Sequence, residues 1–138
     1  MSSITLHGSC LCGAISYKAT GEEKRFYHCH CSRCRKVTGT GHASNLFVKG
    51  ALSWQSGEDL LTSYVPPGAT RFRNRFCSIC GSRMPRYDEG YGTVFIPAGS
   101  LETVPSMQPE ARIFFGSRTP WSCCGTGFPE YDEYRTRE

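Results

Sequence analysis

Ile4 to Cys10 and Ala14 to Thr20 alternate apolar and polar residues loosely, the spacing of half-buried β-strands. Between them Cys10-Leu11-Cys12-Gly13 predicts a tight turn. Gly21 to Arg25 reads as a charged turn, and Arg25-Phe26-Tyr27 as a short strand behind it. His42 to Val48, Ala51 to Gln55 and Leu60 to Val65 predict three further strands, the last two parted by the turn Ser56-Gly57. Pro66-Pro67-Gly68 then breaks the sheet with a loop. Arg71 to Phe76 alternates basic with aromatic or polar residues and feeds Cys77. Arg83 to Tyr87 and Gly92 to Pro97 predict a hairpin around Asp88-Glu89-Gly90-Tyr91, and Ala111 to Phe115 a last apolar strand. A period near 3.6 is not sustained over ten residues anywhere; Ser32 to Val37 suits one helical turn. Gly116 to Pro129 is irregular, and the tail from Glu130 is charged and loose. The pattern predicts an all-β fold of antiparallel sheets in a single domain, 1–138.

Composition sharpens this. The chain is 38% hydrophobic with 15 glycines and 8 prolines, so it has many turns and short strands and a moderate core that bound metal would help to hold. Nine cysteines in 138 residues pose the choice between disulfides and metal. No charged segment followed by an apolar run opens the chain, the cysteine count is odd, and Cys-x-Cys is poor geometry for a local bridge. Metal-bound thiolates in a reducing compartment are favoured, hence a cytoplasmic protein. No apolar run reaches the roughly 18–20 residues that span a bilayer.

The cysteines fall into groups. Cys10 and Cys12 form one tight pair and Cys77 and Cys80 another, each followed by a glycine. Four thiolates fill a tetrahedral shell and leave no room for a reactant, so these four predict a closed, structural zinc. Cys29, Cys31 and Cys34 supply three more, and three protein ligands with an exchangeable fourth position is the pattern of a catalytic zinc. Zn²⁺ with three thiolates carries one net negative charge. It is a poor activator of water and a better template for an incoming thiol, which points to sulfur chemistry on a soft electrophile. The competing reading closes this site with a fourth side chain; His28, His30, His42, Cys123 and Cys124 are the candidates, with His30 pointing away. Cys123 and Cys124 also suit small core residues.

Charge adds less. The formal +4 falls to about +1 once seven thiolates and two Zn²⁺ are counted, so the basic balance is weak grounds for nucleic-acid binding. Arg33, Arg35 and Lys36 surround the triplet, and Arg71, Arg73 and Arg75 approach from another strand. They suit the carboxylates of an acidic thiol such as glutathione, or simply a solvated face.

Gly8-Ser9-Cys10-Leu11-Cys12-Gly13, Cys29-His30-Cys31-Ser32-Arg33-Cys34-Arg35-Lys36 and Phe76-Cys77-Ser78-Ile79-Cys80-Gly81, in this order, resemble the glutathione-dependent formaldehyde-activating enzyme family, which shares its domain with centromere protein V. Ile113-Phe114-Phe115 and Pro120-Trp121 resemble its closing segment. The resemblance implies a β-tent of antiparallel sheets. It also implies structural zinc at Cys10, Cys12, Cys77 and Cys80, catalytic zinc at Cys29, Cys31 and Cys34, and a carbon–sulfur lyase class activity that joins formaldehyde and glutathione to give S-hydroxymethylglutathione. The departure is Ser122 to Pro129, where the family usually shows an aliphatic-acidic stretch leading to leucine-proline. If this loop borders the site, the substrate differs. Two rival readings are a non-catalytic zinc module that binds protein or nucleic acid, and a redox or zinc-buffering protein. The basic residues are interleaved with Asp and Glu, which counts against the nucleic-acid version.

Overall fold

The computed structural model describes residues 3–122 and 127–135. Eight strands and one short helix run in the order β1 (Ile4–Ser9), β2 (Ser16–Cys29), α1 (Ser32–Thr38), β3 (Ala43–Ser56), β4 (Leu61–Tyr64), β5 (Asn74–Cys77), β6 (Arg86–Asp88), β7 (Thr93–Pro97) and β8 (Ala111–Ile113). The main sheet has the antiparallel order β1-β2-β3-β7-β6, and β4 and β5 form a separate antiparallel pair.

The segment 21–25 is not a turn. β2 continues through it, paired with β3 from Ser16 to Cys29, with a register shift between Glu23 and Arg25. Ala51 to Gln55 likewise belongs to the same strand as His42 to Val48. Gly21 pairs with Gly50, and a side chain on either would run into the other strand's backbone, at Lys49 O or Thr20 O. These glycines therefore serve a close strand-to-strand approach.

The second half of β2 extends past the end of β1. β8 fills the vacated edge, with Tyr27, His28 and Cys29 opposite Ala111, Arg112 and Ile113. This pairing is parallel, so the sheet is antiparallel but for one short edge strand. Phe114 leaves the strand in the left-handed region at φ 52°. The Arg71-to-Phe76 strand begins later than its alternation suggests, at Asn74.

Leu6, Ile15, Tyr17, Ala19, Phe26, Leu46, Val48, Met84, Val94 and Ile96 form the main core, Cys10 and Cys77 belong to it, and Leu60 and Leu61 pack against it. Each fully buried aliphatic side chain of this set contributes about 1.5–3 kcal/mol. Side chains alternate across a sheet. While Phe26, Leu46 and Ile96 face inward as one cross-strand row, the neighbouring residues line up on the outer face. There Cys29 lies opposite Ala43, Tyr27 opposite Asn45, and Arg25, Phe47, Phe95 and Arg86 form a row across four strands. Among the described residues no helix is long and apolar enough to cross a membrane.

Candidate functional site

Two turns of similar build bring the first four cysteines together. The Gly13 N–H closes the first on the Cys10 carbonyl at 3.1 Å, and the Gly81 N–H closes the second on the Cys77 carbonyl at 2.8 Å. Both glycines sit near φ +80°, at 80° and 77°, where a side chain would be strained. The closures turn amides toward sulfur: Ile15 N–H donates to Cys10 Sγ at 3.3 Å and Ile79 N–H to Cys77 Sγ at 3.4 Å. Ser82 ties the turns to each other. Its hydroxyl accepts from the Leu11 N–H at 2.9 Å and lies 3.2 Å from Cys80 Sγ.

All four sulfurs lie within 4.8 Å of one another. Cys10 and Cys12 are 3.6 Å apart and Cys12 and Cys77 3.9 Å. A Zn–S bond of ~2.3 Å sets a tetrahedral sulfur–sulfur edge of roughly 3.8 Å, so the spacing fits one zinc-sized ion. The thiols also respond unequally to their crowding. Cys80 is drawn down to about 5, chiefly by the Ser82 hydroxyl and then by the Cys12 amide. Cys12, although the Ala14 amide favours its ionisation, is pushed up to about 11 by desolvation and its three sulfur neighbours. Four thiolates repel one another, and a divalent cation relieves that repulsion.

The second cluster joins the end of β2 to α1. Cys29 and Cys34 are buried, Cys31 is half-buried, and their sulfurs also lie within 4.8 Å. Cys31 is the N-cap of α1, its Sγ accepting the Cys34 N–H at 3.3 Å, and Gly39 ends the helix in the left-handed region at φ 71°. The helix thus returns the third sulfur toward the first two. Cys29 is held below the ordinary thiol range, chiefly by a hydrogen bond from Cys34. Cys34 is raised by the same bond and by burial. Ala43, Phe72 and Ile113 pack around the triplet as a small apolar cluster apart from the main core.

Two residues that sequence reasoning missed face Cys34. The buried Asn45 amide donates to Cys34 Sγ at 3.9 Å, while its Oδ1 has no hydrogen-bond partner. Arg83 stacks on Phe72 at 5.4 Å and Phe95 at 4.9 Å and donates Nε–H to Asn74 Oδ1 at 3.1 Å. Burial lowers its pKa, and the charge of Cys34 works in the opposite direction. Asn45 sits within an apolar strand and Arg83 is a lone basic residue between Ser82 and Met84, so neither carries a local signal of its own.

Of the predicted basic residues, Arg33 is exposed and lies over Phe72 at 5.9 Å. Arg35 is half-buried with an unpartnered Nε, and Lys36 is exposed. Arg71 and Arg75 part company: Arg71 stacks on Tyr91 at 4.6 Å and Arg75 on Trp54 at 5.4 Å. His28 and His42 stack at 4.0 Å, and His30 lies 5.2 Å from both His42 and Phe115. Burial first, then for His28 and His30 the neighbouring His42, and the Arg112 charge for all three, hold these imidazoles below their ordinary pKa. Among the described residues no histidine or carboxylate joins the triplet's donor group. Cys123 and Cys124 lie outside the described residues. A cavity of about 480 Å³ has Cys10, Thr40, His42, Asn45, Ser82 and Arg83 in its wall.

Fold and sites together define a mostly antiparallel β-protein with two sulfur clusters suited to a soft divalent metal. The chain belongs to the glutathione-dependent formaldehyde-activating enzyme family, whose profile matches residues 5–117. That family activity is lyase-like and uses glutathione and formaldehyde. The fold is similar to that of a crystal structure of a Rhodobacter sphaeroides protein, at 22% identity and a TM-score of 0.50, over 77% of this chain and 98% of that one. No curated protein matches the chain.

Proposed function

We propose that this protein is a zinc-dependent carbon–sulfur lyase class enzyme that joins a thiol, glutathione above all, to formaldehyde or a related small aldehyde. Two zinc ions per chain are assigned. Cys10, Cys12, Cys77 and Cys80 hold a structural one that closes a β-tent, and Cys29, Cys31 and Cys34 hold a catalytic one. The chain acts as one cytoplasmic domain, 1–138.

The observation that carries this reading is the incomplete donor set of the triplet: three sulfurs within 4.8 Å, with no further Cys, His, Asp or Glu ligand atom in their group among the described residues. Zinc bound there would lower the pKa of an incoming thiol while leaving its sulfur electron-rich. The thiol sulfur forms the new bond to the carbonyl carbon. The carbonyl π pair moves to oxygen, and that oxygen takes the proton the thiol gives up, so nothing is oxidised or reduced.

The chain's own groups orient the reactants. Asn45 holds Cys34 through its amide, leaving Oδ1 as an acceptor beside the triplet. Arg33, Arg35 and Lys36 take the thiol's carboxylates, and the buried, unpartnered Nε of Arg35 is a donor in want of such a group.

Exchange NMR tests the proposal. Added to glutathione and formaldehyde, the zinc-loaded protein should accelerate exchange between free glutathione and S-hydroxymethylglutathione, and Cys31→Ser should abolish the acceleration. A protein carrying two zinc ions that accelerates exchange with no aldehyde and no thiol would overturn it.

A further inference from the structure

The outer face of the sheet carries a second concavity, of about 610 Å³, that the sulfur chemistry does not use. Its floor is the cross-strand row Arg25, Phe47, Phe95 and Arg86. Tyr27 and Tyr91 also line it. The aromatic groups form a continuous surface, with Tyr27 and Phe47 6.0 Å apart and Phe47 and Phe95 5.6 Å apart between centroids. Phe47 and Tyr27 are only half-buried, so ring surface is open to an occupant.

The charge lining this surface is one-sided. Lys24, Arg25, Lys49, Arg71 and Arg86 contribute positive groups, and Asp88 the one carboxylate. Asp88 already accepts the Gly90 N–H at 3.1 Å. Among the described residues the one ion pair is Lys24 with Glu22, at 3.1 Å; Arg25, Lys49, Arg71 and Arg86 form none, although the Asp88 charge acts on Arg86. Arg86 is the telling member. Its guanidinium stacks on Phe95 at 4.9 Å, the same ring that Arg83 covers at 4.9 Å, and its Nε is buried with no acceptor. A half-buried cation with an unsatisfied donor, beside a second guanidinium, is costly unless an anion joins it. A merely solvated cation would leave that donor in water, as the exposed Lys24, Arg25, Lys49 and Arg71 do.

We propose that this cavity binds a small organic anion with a planar ring, an aryl carboxylate or aryl phosphate. The ring would lie on Phe47 between Tyr27 and Tyr91, and the anion would meet Arg86, Arg25 and Arg71. The volume falls in the range of small-molecule sites, and the concavity favours such a ligand over an extended polymer. Along β2, the Arg25 row is four residues from Cys29, roughly 13 Å at 3.3 Å per residue. The Arg25 end of the site is thus set apart from the triplet, while at the other end Arg83, which faces Cys34, also covers Phe95.

The test is calorimetry of the zinc-loaded protein at low ionic strength with benzoate, phenyl phosphate, inorganic phosphate and benzyl alcohol. At least one aryl anion should bind tenfold or more tightly than both inorganic phosphate and benzyl alcohol, and which one binds names the anionic group. Arg25→Ala with Arg71→Ala should weaken that binding tenfold or more while zinc content and melting temperature hold. Phe47→Leu should weaken the aryl anion while leaving inorganic phosphate unchanged. Failure of both aryl anions to bind, or equal binding by the arginine variant, would overturn the proposal. So would tight, steeply salt-dependent binding of a single-stranded oligonucleotide in their place.

Discussion

The side-chain amide of Asn45 reaches the sulfur of Cys34 at 3.9 Å, linking the start of β3 to α1. Both residues are buried, so the contact is shielded from water and sets the orientation of the third sulfur. Asn45→Asp keeps the shape but replaces the donor with an anion beside three thiolates. Zinc competition against a chromophoric chelator should show the triplet's affinity lowered by about 10- to 100-fold, as for other outer partners of metal ligands. Unchanged affinity would show that the amide does not support the sulfur.

Cys77→Ser and Cys31→Ser should differ in kind. Cys77 is fully buried in the main core, whereas Cys31 belongs to the small satellite cluster. A structural zinc site contributes on the order of 10 kcal/mol to folding. Loss of Cys77 should therefore abolish cooperative unfolding or lower the melting temperature drastically, while Cys31→Ser should lose one zinc and retain a cooperative melt. Metal analysis paired with calorimetry checks both.

Ser82 links the two glycine turns through Leu11 N–H and Cys80 Sγ. Ser82→Ala leaves a backbone donor without its partner and removes the hydroxyl that holds Cys80 ionised. Because the Leu11 N–H is exposed and turns to water instead, the expected outcome is a small drop in the urea midpoint, together with clearly faster zinc release to a chelator.

Arg83→Lys preserves charge but not the planar stack between Phe72 and Phe95. A stability loss of about 1–2 kcal/mol follows from weakening two desolvated cation–π contacts. Equal stability of the lysine variant in urea would mean that the charge alone matters there.

His42 is held below the ordinary imidazole pKa by burial first and the Arg112 charge second. The unfolded chain takes up a proton near pH 6.5 that the folded chain resists, so stability is highest above that value. It declines as pH falls from about 6.5 until the folded pKa is passed. The urea midpoint followed from pH 8 to 5.5 should fall less in His42→Gln than in the parent; parallel curves would remove His42 from the account.

Cysteine spacing by itself determined which sulfurs cluster. Cys10 with Cys12, and Cys77 with Cys80, are adjacent in sequence, and a glycine after each pair marks the turn that aims both thiols one way. Period-2 alternation likewise marked most strands, because it reports which face is buried over a few residues. It failed at Gly21 to Arg25, where glycine and charge resemble a turn; there glycine serves a strand-to-strand approach that the local pattern cannot register. The tertiary structure alone decided that β8 runs parallel to β2, that Asn45 and Arg83 face Cys34, and that Arg71 leaves the triplet's surroundings for Tyr91. These depend on which strands become neighbours. A row such as Arg25, Phe47, Phe95 and Arg86 draws on residues up to 70 positions apart, and only the pairing register of four strands puts them side by side.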